Sequence, residues 1–372
     1  MTPRTITFPP SSADVWSKCP GSLKLLSQLV KELVSRSTVA ADEGTAAHWA
    51  AEQLFDRPFI VPGTVAPNGV VLTESIIHDA QAFVKRVSTA AGQYKVHVEG
   101  KLPVTAIDPK NCNGKIDVWW YNSATDTLHI VDFKYGKQPV ECRHNKQLAL
   151  YAIAVLDTTG RHPGKVSLEI DQPRSRGEPS EPWITTPDEL RKFIVPMQHA
   201  ASMVRSGLPP YKPGEQCRYC NGRLYCEAIR TVVNKVPLIV DTIADQPAPV
   251  TPEQIGNELT LLKPVQEILQ FYVDALEGAA MDSIKQGQPV RGWGMKPGRN
   301  YRSWISGFEQ LRPGLEKLTG VKLSIEKPLS PAQAEKVVDK HLLADYIKSQ
   351  PGSYKLTPVT DNDNPFKEGN TK

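Results

Sequence analysis

No apolar run in this 372-residue chain approaches the roughly 20 residues that cross a bilayer, and its first residues, MTPRTITFPP, lack the apolar core of a secretory signal. The sequence therefore predicts a cytoplasmic protein with no membrane partner. Neither sign of charge dominates. The 44 Lys and Arg against 40 Asp and Glu leave +4, which permits a polyanionic partner without requiring one. There is no GxxxxGK followed by Ser or Thr, so any ATP-driven step must come from another protein. Internal repeats and low-complexity tracts are also missing. Cysteine is sparse, at six residues. In a cytoplasmic chain of this length six thiols point to metal binding, catalysis or burial rather than to disulfides. The chain is long enough for a full core and more than one domain, and its 32 prolines cut it into short elements.

The most informative stretch is Gly114 to Lys137, GKIDVWWYNSATDTLHIVDFKYGK. It reads as two short strands joined by a polar turn. The first carries Asp117 and the second carries Asp132 and Lys134. Side chains two apart on a strand share a face, so Asp132 and Lys134 point the same way, and strand pairing can bring Asp117 beside them. Two carboxylates and a lysine on one face suit a hard divalent cation and a water activated by it. A surface ion pair on a hairpin is the plainer alternative.

Around this stretch the pattern alternates between helix and strand. Ser11 to Val30 carries a helix signal with Ser11 or Ser12 as cap and a stripe of Trp16, Leu23, Leu26 and Val30. Asp42 to Phe55 is a second helix, its apolar face made by Ala46, Ala47, Ala50, Ala51 and Leu54. Its His48 is a candidate metal ligand, or else an ordinary surface or core histidine. Residues 74–90 read as a third amphipathic helix, Tyr94 to Val104 as a strand, Asn145 to Asp157 as a helix and Lys165 to Asp171 as a strand. Glu99 either reaches the carboxylate site or faces solvent, and the alternation of Val96 and Val98 reads it as solvent-facing. Gln147 and Tyr151, four apart, share a helix face. Thr186-Pro187-Asp188-Glu189 is a capping box opening a helix to about Ser206. Helices, three strands, a helix and a strand give an α+β core with a mixed sheet and helices packed against it.

Cys217-x2-Cys220-x5-Cys226 is the most specific local signal. Its three sulfurs can reach one metal centre and leave it one ligand short. Cys19, Cys112 and Cys142 are candidates for the fourth. Spacing does not choose between zinc and a 4Fe–4S cluster.

These pieces in this order resemble the RecB-like branch of the PD-(D/E)XK nucleases, above all its iron–sulfur members, the CRISPR-associated RecB-like nucleases and the AddB-type nuclease domains. The matching residues are SKCP around Cys19, EGTAAH ending at His48, GKID ending at Asp117, DFK at Asp132 to Lys134, Gln147-x3-Tyr151 and the closing cysteine triplet. The match covers about residues 10–230. The resemblance implies a restriction-endonuclease-like core and a 4Fe–4S cluster on Cys19, Cys217, Cys220 and Cys226, with Cys112 and Cys142 as ordinary packed thiols. It implies Mg²⁺ or Mn²⁺ on His48, Asp117, Asp132 and the main-chain carbonyl of Phe133. Asp117, Asp132 and Lys134 would be catalytic, with Lys134 acting on the attacking water and on phosphate charge. Gln147 and Tyr151 would contact DNA or steady the site. Asp132 stands where the family more often has Glu. The whole chain also resembles a phage-encoded family with this core, which places it in a bacterial host cell.

The domain organisation expected is a nuclease domain over 1–234, a Pro-rich linker over 235–250, a mainly helical domain over 251–356 and a disordered tail over 357–372. Thr251-Pro252-Glu253-Gln254 caps a long helix to about Lys285. Arg291 to Trp304, RGWGMKPGRNYRSW, mixes cations with aromatics, which suits either phosphate and base contacts or a solvated hairpin. Ser330 begins a short helix. The function expected is a metal-dependent DNA nuclease, an exonuclease on DNA ends or single strands in recombination or processing, with a helicase or recombination protein as possible partner. The alternatives are a DNA-binding or scaffolding protein that keeps the fold without turnover, and a zinc-stabilised binding module.

Overall fold

The computed structural model describes residues 4–29, 39–57, 59–175, 178–244, 251–304, 308–320, 322–323, 329–336 and 338–358. Two compact units emerge, Met1–Tyr272 and Val273–Lys372.

The first unit is built on a five-stranded sheet in the order β1 (His97–Pro103), β2 (Asn113–Asn122), β3 (Thr127–Phe133), β4 (Lys165–Asp171) and β5 (Trp183–Thr185). All neighbours run antiparallel except β3 and β4, which are parallel. The sheet is therefore mixed, as expected. Parallel neighbours need a crossover, and the helix Lys146–Thr159 supplies it.

Helices cover both faces. On one side lie α1 (Ala13–Lys18), α2 (Gly21–Gln28) and, from the far end of the unit, three more. On the other lie α3 (Val39–Asp56) and α4 (Glu74–Ala91). The crossover helix is α5 (Lys146–Thr159), followed by α6 (Pro187–Phe193) and α7 (Val195–Arg205). The buried residues divide accordingly. Trp16, Ile116, Trp119, Ile130, Leu148, Ile153, Leu168 and Leu190 belong to the α5 side. Ala47, Ala50, Ile76, Phe83, Val118, Trp120, Val131 and Phe133 belong to the α3–α4 side. The five apolar residues read off the second helix are all buried.

Two expected helices are broken. The first divides at Cys19-Pro20, because a residue preceding proline is pushed out of the α region; Cys19 has φ −131° and ψ 82°. Ser12 occupies the N-cap position of α1 without a side-chain cap, its hydroxyl donating instead to the Pro9 carbonyl. The helix opened by the Thr186–Glu189 capping box, which forms as expected, ends at Phe193, and α7 restarts with Pro196 in its first turn.

The expected linker over 235–250 is corrected in its first ten residues. Glu227–Ala244 is one helix, α8, with Pro237 inside it; residues 245–250 lie outside the described residues. The next helix, α9, runs Pro252–Lys285, as its capping box and periodicity indicate. The boundary between the units falls within it.

Among the described residues of 251–356 helical residues outnumber strand residues, and the second unit also holds a two-stranded ribbon. Two 12-residue strands, β6 (Trp293–Trp304) and β7 (Ile347–Pro358), pair antiparallel. Their partners are α10 (Phe308–Thr319) and the short α11 (Pro331–Ala334), capped by Ser330 as read from the sequence. A small core of Leu315, Ala334, Val338 and Leu343 holds the unit, with Trp304 and Ile347 against it. The tail expected over 357–372 begins inside β7; residues 359–372 lie outside the described residues.

Candidate metal centre and thiol cluster

Strand register builds the site. Val98 pairs with Val118 and Gly100 with Ile116, so Glu99 sits opposite Asp117. Val118 pairs with Val131, so one step further along the same ladder Asp117 sits opposite Asp132. Three carboxylates thus form a row across β1, β2 and β3. Opposed residues on antiparallel strands lie roughly 5 Å apart, and like charges at that distance repel unless cations answer them.

The cations come from three elements. His48, on α3, places Nδ1 3.3 Å from Asp117 Oδ1, and its ring packs edge-on against Phe133 at 5.5 Å. Lys115, on β2, forms an ion pair with Glu99. Lys134, just past β3, stands 2.8 Å from Asp132 Oδ2. The Phe133 N–H donates to Asp117 Oδ2 at 2.8 Å, which fixes that carboxylate to the neighbouring strand.

Gln147 organises the other edge. Asn145 caps α5 by accepting from the Leu148 N–H, which sets Gln147 in the first turn, facing the sheet. Its Nε2 donates to Asp132 Oδ1 and to the Tyr151 hydroxyl, each at 2.9 Å, and its Oε1 accepts from Lys134 at 3.1 Å. Gly114, at the start of the GKID motif, has no room for a side chain: a Cβ there would meet the Tyr151 ring at 2.8 Å.

The burial of this polar group perturbs it. Desolvation pushes the Asp132 carboxyl up to about 6, with Asp117 adding and Lys134 opposing. Burial likewise raises Glu99, against the pull of Lys115, and raises the Tyr151 hydroxyl further above its ordinary range. For His48 burial opposes protonation, but the Asp117 carboxylate outweighs it and the net shift is upward. Lys134 shows the same balance, with Asp132 outweighing burial.

Ligand atoms of His48, Glu99 and Asp117 all lie within 4.8 Å of one another. One imidazole and two carboxylates, partly withdrawn from solvent, form a group that could hold a metal ion. Glu99 is thus at the site and not solvent-facing; its side chain is 8% exposed. Alternation misplaced it because its φ is +51°, a break in the regular strand. The signal that could have found it is the strand's position beside GKID, which makes Glu99 the cross-strand neighbour of Asp117. Asp132, by contrast, lies outside that group of three and is held by Lys134 and Gln147.

The cysteines lie elsewhere in the unit. All six are buried and none forms a disulfide. Cys19, at the break between α1 and α2, shares an enclosed pocket with Cys217, Cys220 and Cys226, carried by two short 3-10 turns, Glu215–Tyr219 and Arg223–Tyr225. Main-chain N–H groups point at the sulfurs: Lys212 to Cys19 and Gly214 to Cys217, both at 3.4 Å. Burial pushes the thiols of Cys19 and Cys217 up and that of Cys220 to about 11. Ile229, Ile268 and Phe271 pack around the cluster. Cys112 and Cys142 are instead in the main core, 0% exposed, and burial takes Cys112 up to about 12.

Fold and site together define an α+β protein with a carboxylate–imidazole group at the edge of a mixed sheet and a separate four-thiol pocket. Residues 7–364 match the model of the family described as protein of unknown function (DUF2800). The chain belongs to that family. No helix among the described residues is long and apolar enough to cross a membrane.

Proposed function

We propose that the chain is a metal-dependent deoxyribonuclease of the PD-(D/E)XK type, related to its RecB-like iron–sulfur branch and working as an exonuclease on DNA ends or single strands. The observation that carries this reading is the row Glu99, Asp117, Asp132 with His48 at one side and Lys134 at the other. A purely structural ion-pair network has no need of three carboxylates lined up across three strands.

His48, Glu99 and Asp117 fit a hard divalent cation by donor type and proximity. Asp132 and the Phe133 carbonyl would complete its shell. Bound Mg²⁺ or Mn²⁺ would supply Lewis acidity and a nucleophilic water at neutral pH. The remaining work belongs to the chain. Lys134, held between Asp132 and Gln147, offers positive charge where negative charge develops on a phosphate. Gln147 positions both partners of that ion pair, and Tyr151 braces Gln147.

The pocket of Cys19, Cys217, Cys220 and Cys226 fits a 4Fe–4S cluster: four thiols, an apolar shell and N–H donors aimed at sulfur. Zinc on four thiolates is the alternative.

The test is incubation of the iron-loaded chain with end-labelled linear DNA and a covalently closed circle of the same sequence, with Mn²⁺ or Mg²⁺. Release of labelled nucleotides from linear DNA alone is expected. No cleavage of either, with DNA still bound, would assign the chain to the non-catalytic binding or scaffolding class.

A further inference from the structure

We infer that the β6–β7 ribbon of the second unit is a DNA-phosphate clamp, separate from the carboxylate site. The 24 residues of these two strands contain five Lys and Arg (296, 299, 302, 348 and 355) and no Asp or Glu. Register concentrates this charge. Lys296 and Lys355 are paired positions of the ladder. Arg302 is answered within the unit by Glu335. Lys296 and Lys348 are exposed. Two aromatics of the ribbon are also exposed, Trp293 at 41% and Tyr354 at 54%, with Trp293 an odd step from Lys296 and so on the other face of β6.

A polyanion with a regular phosphate spacing complements this surface. A two-stranded ribbon is narrow enough for a DNA groove, lysines release counterions from phosphates, and exposed aromatics stack on unpaired bases. Naming DNA as the polyanion rests on the nuclease reading.

The experiment uses the full chain in EDTA, so that nothing is cut, and a fluorescent 40-nucleotide DNA, single-stranded or paired. Affinity is measured against salt concentration for wild type, for the triple variant Lys296→Gln, Lys348→Gln, Lys355→Gln, and for the same three positions changed to Arg. Each phosphate contact contributes about 0.9 to the slope of log affinity against log salt on duplex DNA. The Gln variant is expected to bind at least about tenfold more weakly and to flatten the slope by about 2 to 3. The Arg variant should restore both, which a folding defect would not. A Gln variant with wild-type slope overturns the inference, as does failure of Arg to restore it, or tighter binding of RNA of the same length. Cleavage by the same proteins in Mn²⁺ is read separately. If wild type cuts nothing but the slopes differ as stated, the nuclease reading fails and the clamp stands. If it cuts and the slopes agree, the clamp alone fails.

Discussion

Glu99 and Asp117 face each other across the β1–β2 ladder, with His48 Nδ1 3.3 Å from the second of them. Two opposed carboxylates near a histidine could hold a cation. Substituting Glu99→Gln removes one charge and keeps the shape. Mn²⁺ affinity, measured by calorimetry, is expected to fall at least about tenfold, in the range seen when groups around a metal site are altered, with little change in melting temperature. Unchanged affinity would return Glu99 to a role as partner of Lys115 only.

Gln147 connects Asp132, Lys134 and Tyr151. Gln147→Ala should lower the cleavage rate at saturating DNA and metal by roughly 10- to 100-fold, the usual cost of losing a group that orients the reacting ones. Mn²⁺ affinity should change less than it does in Glu99→Gln. Equal losses in both would place Gln147 in the metal shell itself.

Gly114→Ala tests the close approach of α5 to β2. The added methyl would meet the Tyr151 ring, and relieving that overlap is expected to cost about 1–3 kcal/mol of stability, read by urea denaturation. A neutral substitution would mean that Tyr151 swings away freely and does not brace Gln147.

Much of this was legible beforehand, for reasons that can be named. The helix faces of α3 and α5 follow from periodicity, and the Thr186, Thr251 and Ser330 capping boxes form where the sequence places them. Asp132 and Lys134 come together as strand alternation requires. Other features were hidden because they depend on a partner distant in sequence. Glu99 needed the β1–β2 register and a positive φ. The association of Cys19 with a triplet some 200 residues later was named through the family resemblance, since spacing left Cys112 and Cys142 equally open; the chain past Tyr211 and Lys212 lies against it. The β6–β7 pairing joins strands separated by two helices, and no local pattern reports such a contact.

The two classes of thiol predict different chemistry. In the native chain burial holds the Cys112 thiol up at about 12, which disfavours the reactive thiolate, and alkylation by iodoacetamide should leave it unmodified in mass spectra until the chain is denatured. Cys142, equally buried, should behave alike. Cys19→Ser should abolish the visible absorbance of anaerobically purified protein and cut its iron content from about four per chain. A colourless wild type with one zinc per chain would replace the cluster with a zinc site.

The most direct test of the central claim compares wild type with Asp117→Asn and Lys134→Ala on end-labelled DNA in Mn²⁺. Asp117 accepts the Phe133 N–H and faces His48, while Lys134 pairs with Asp132; neither belongs to the apolar core. Degradation by wild type, with a loss of about a hundredfold or more in each variant and DNA binding retained, is the predicted result. Degradation at the wild-type rate by both variants would show that this row of carboxylates is not where the phosphodiester is cut.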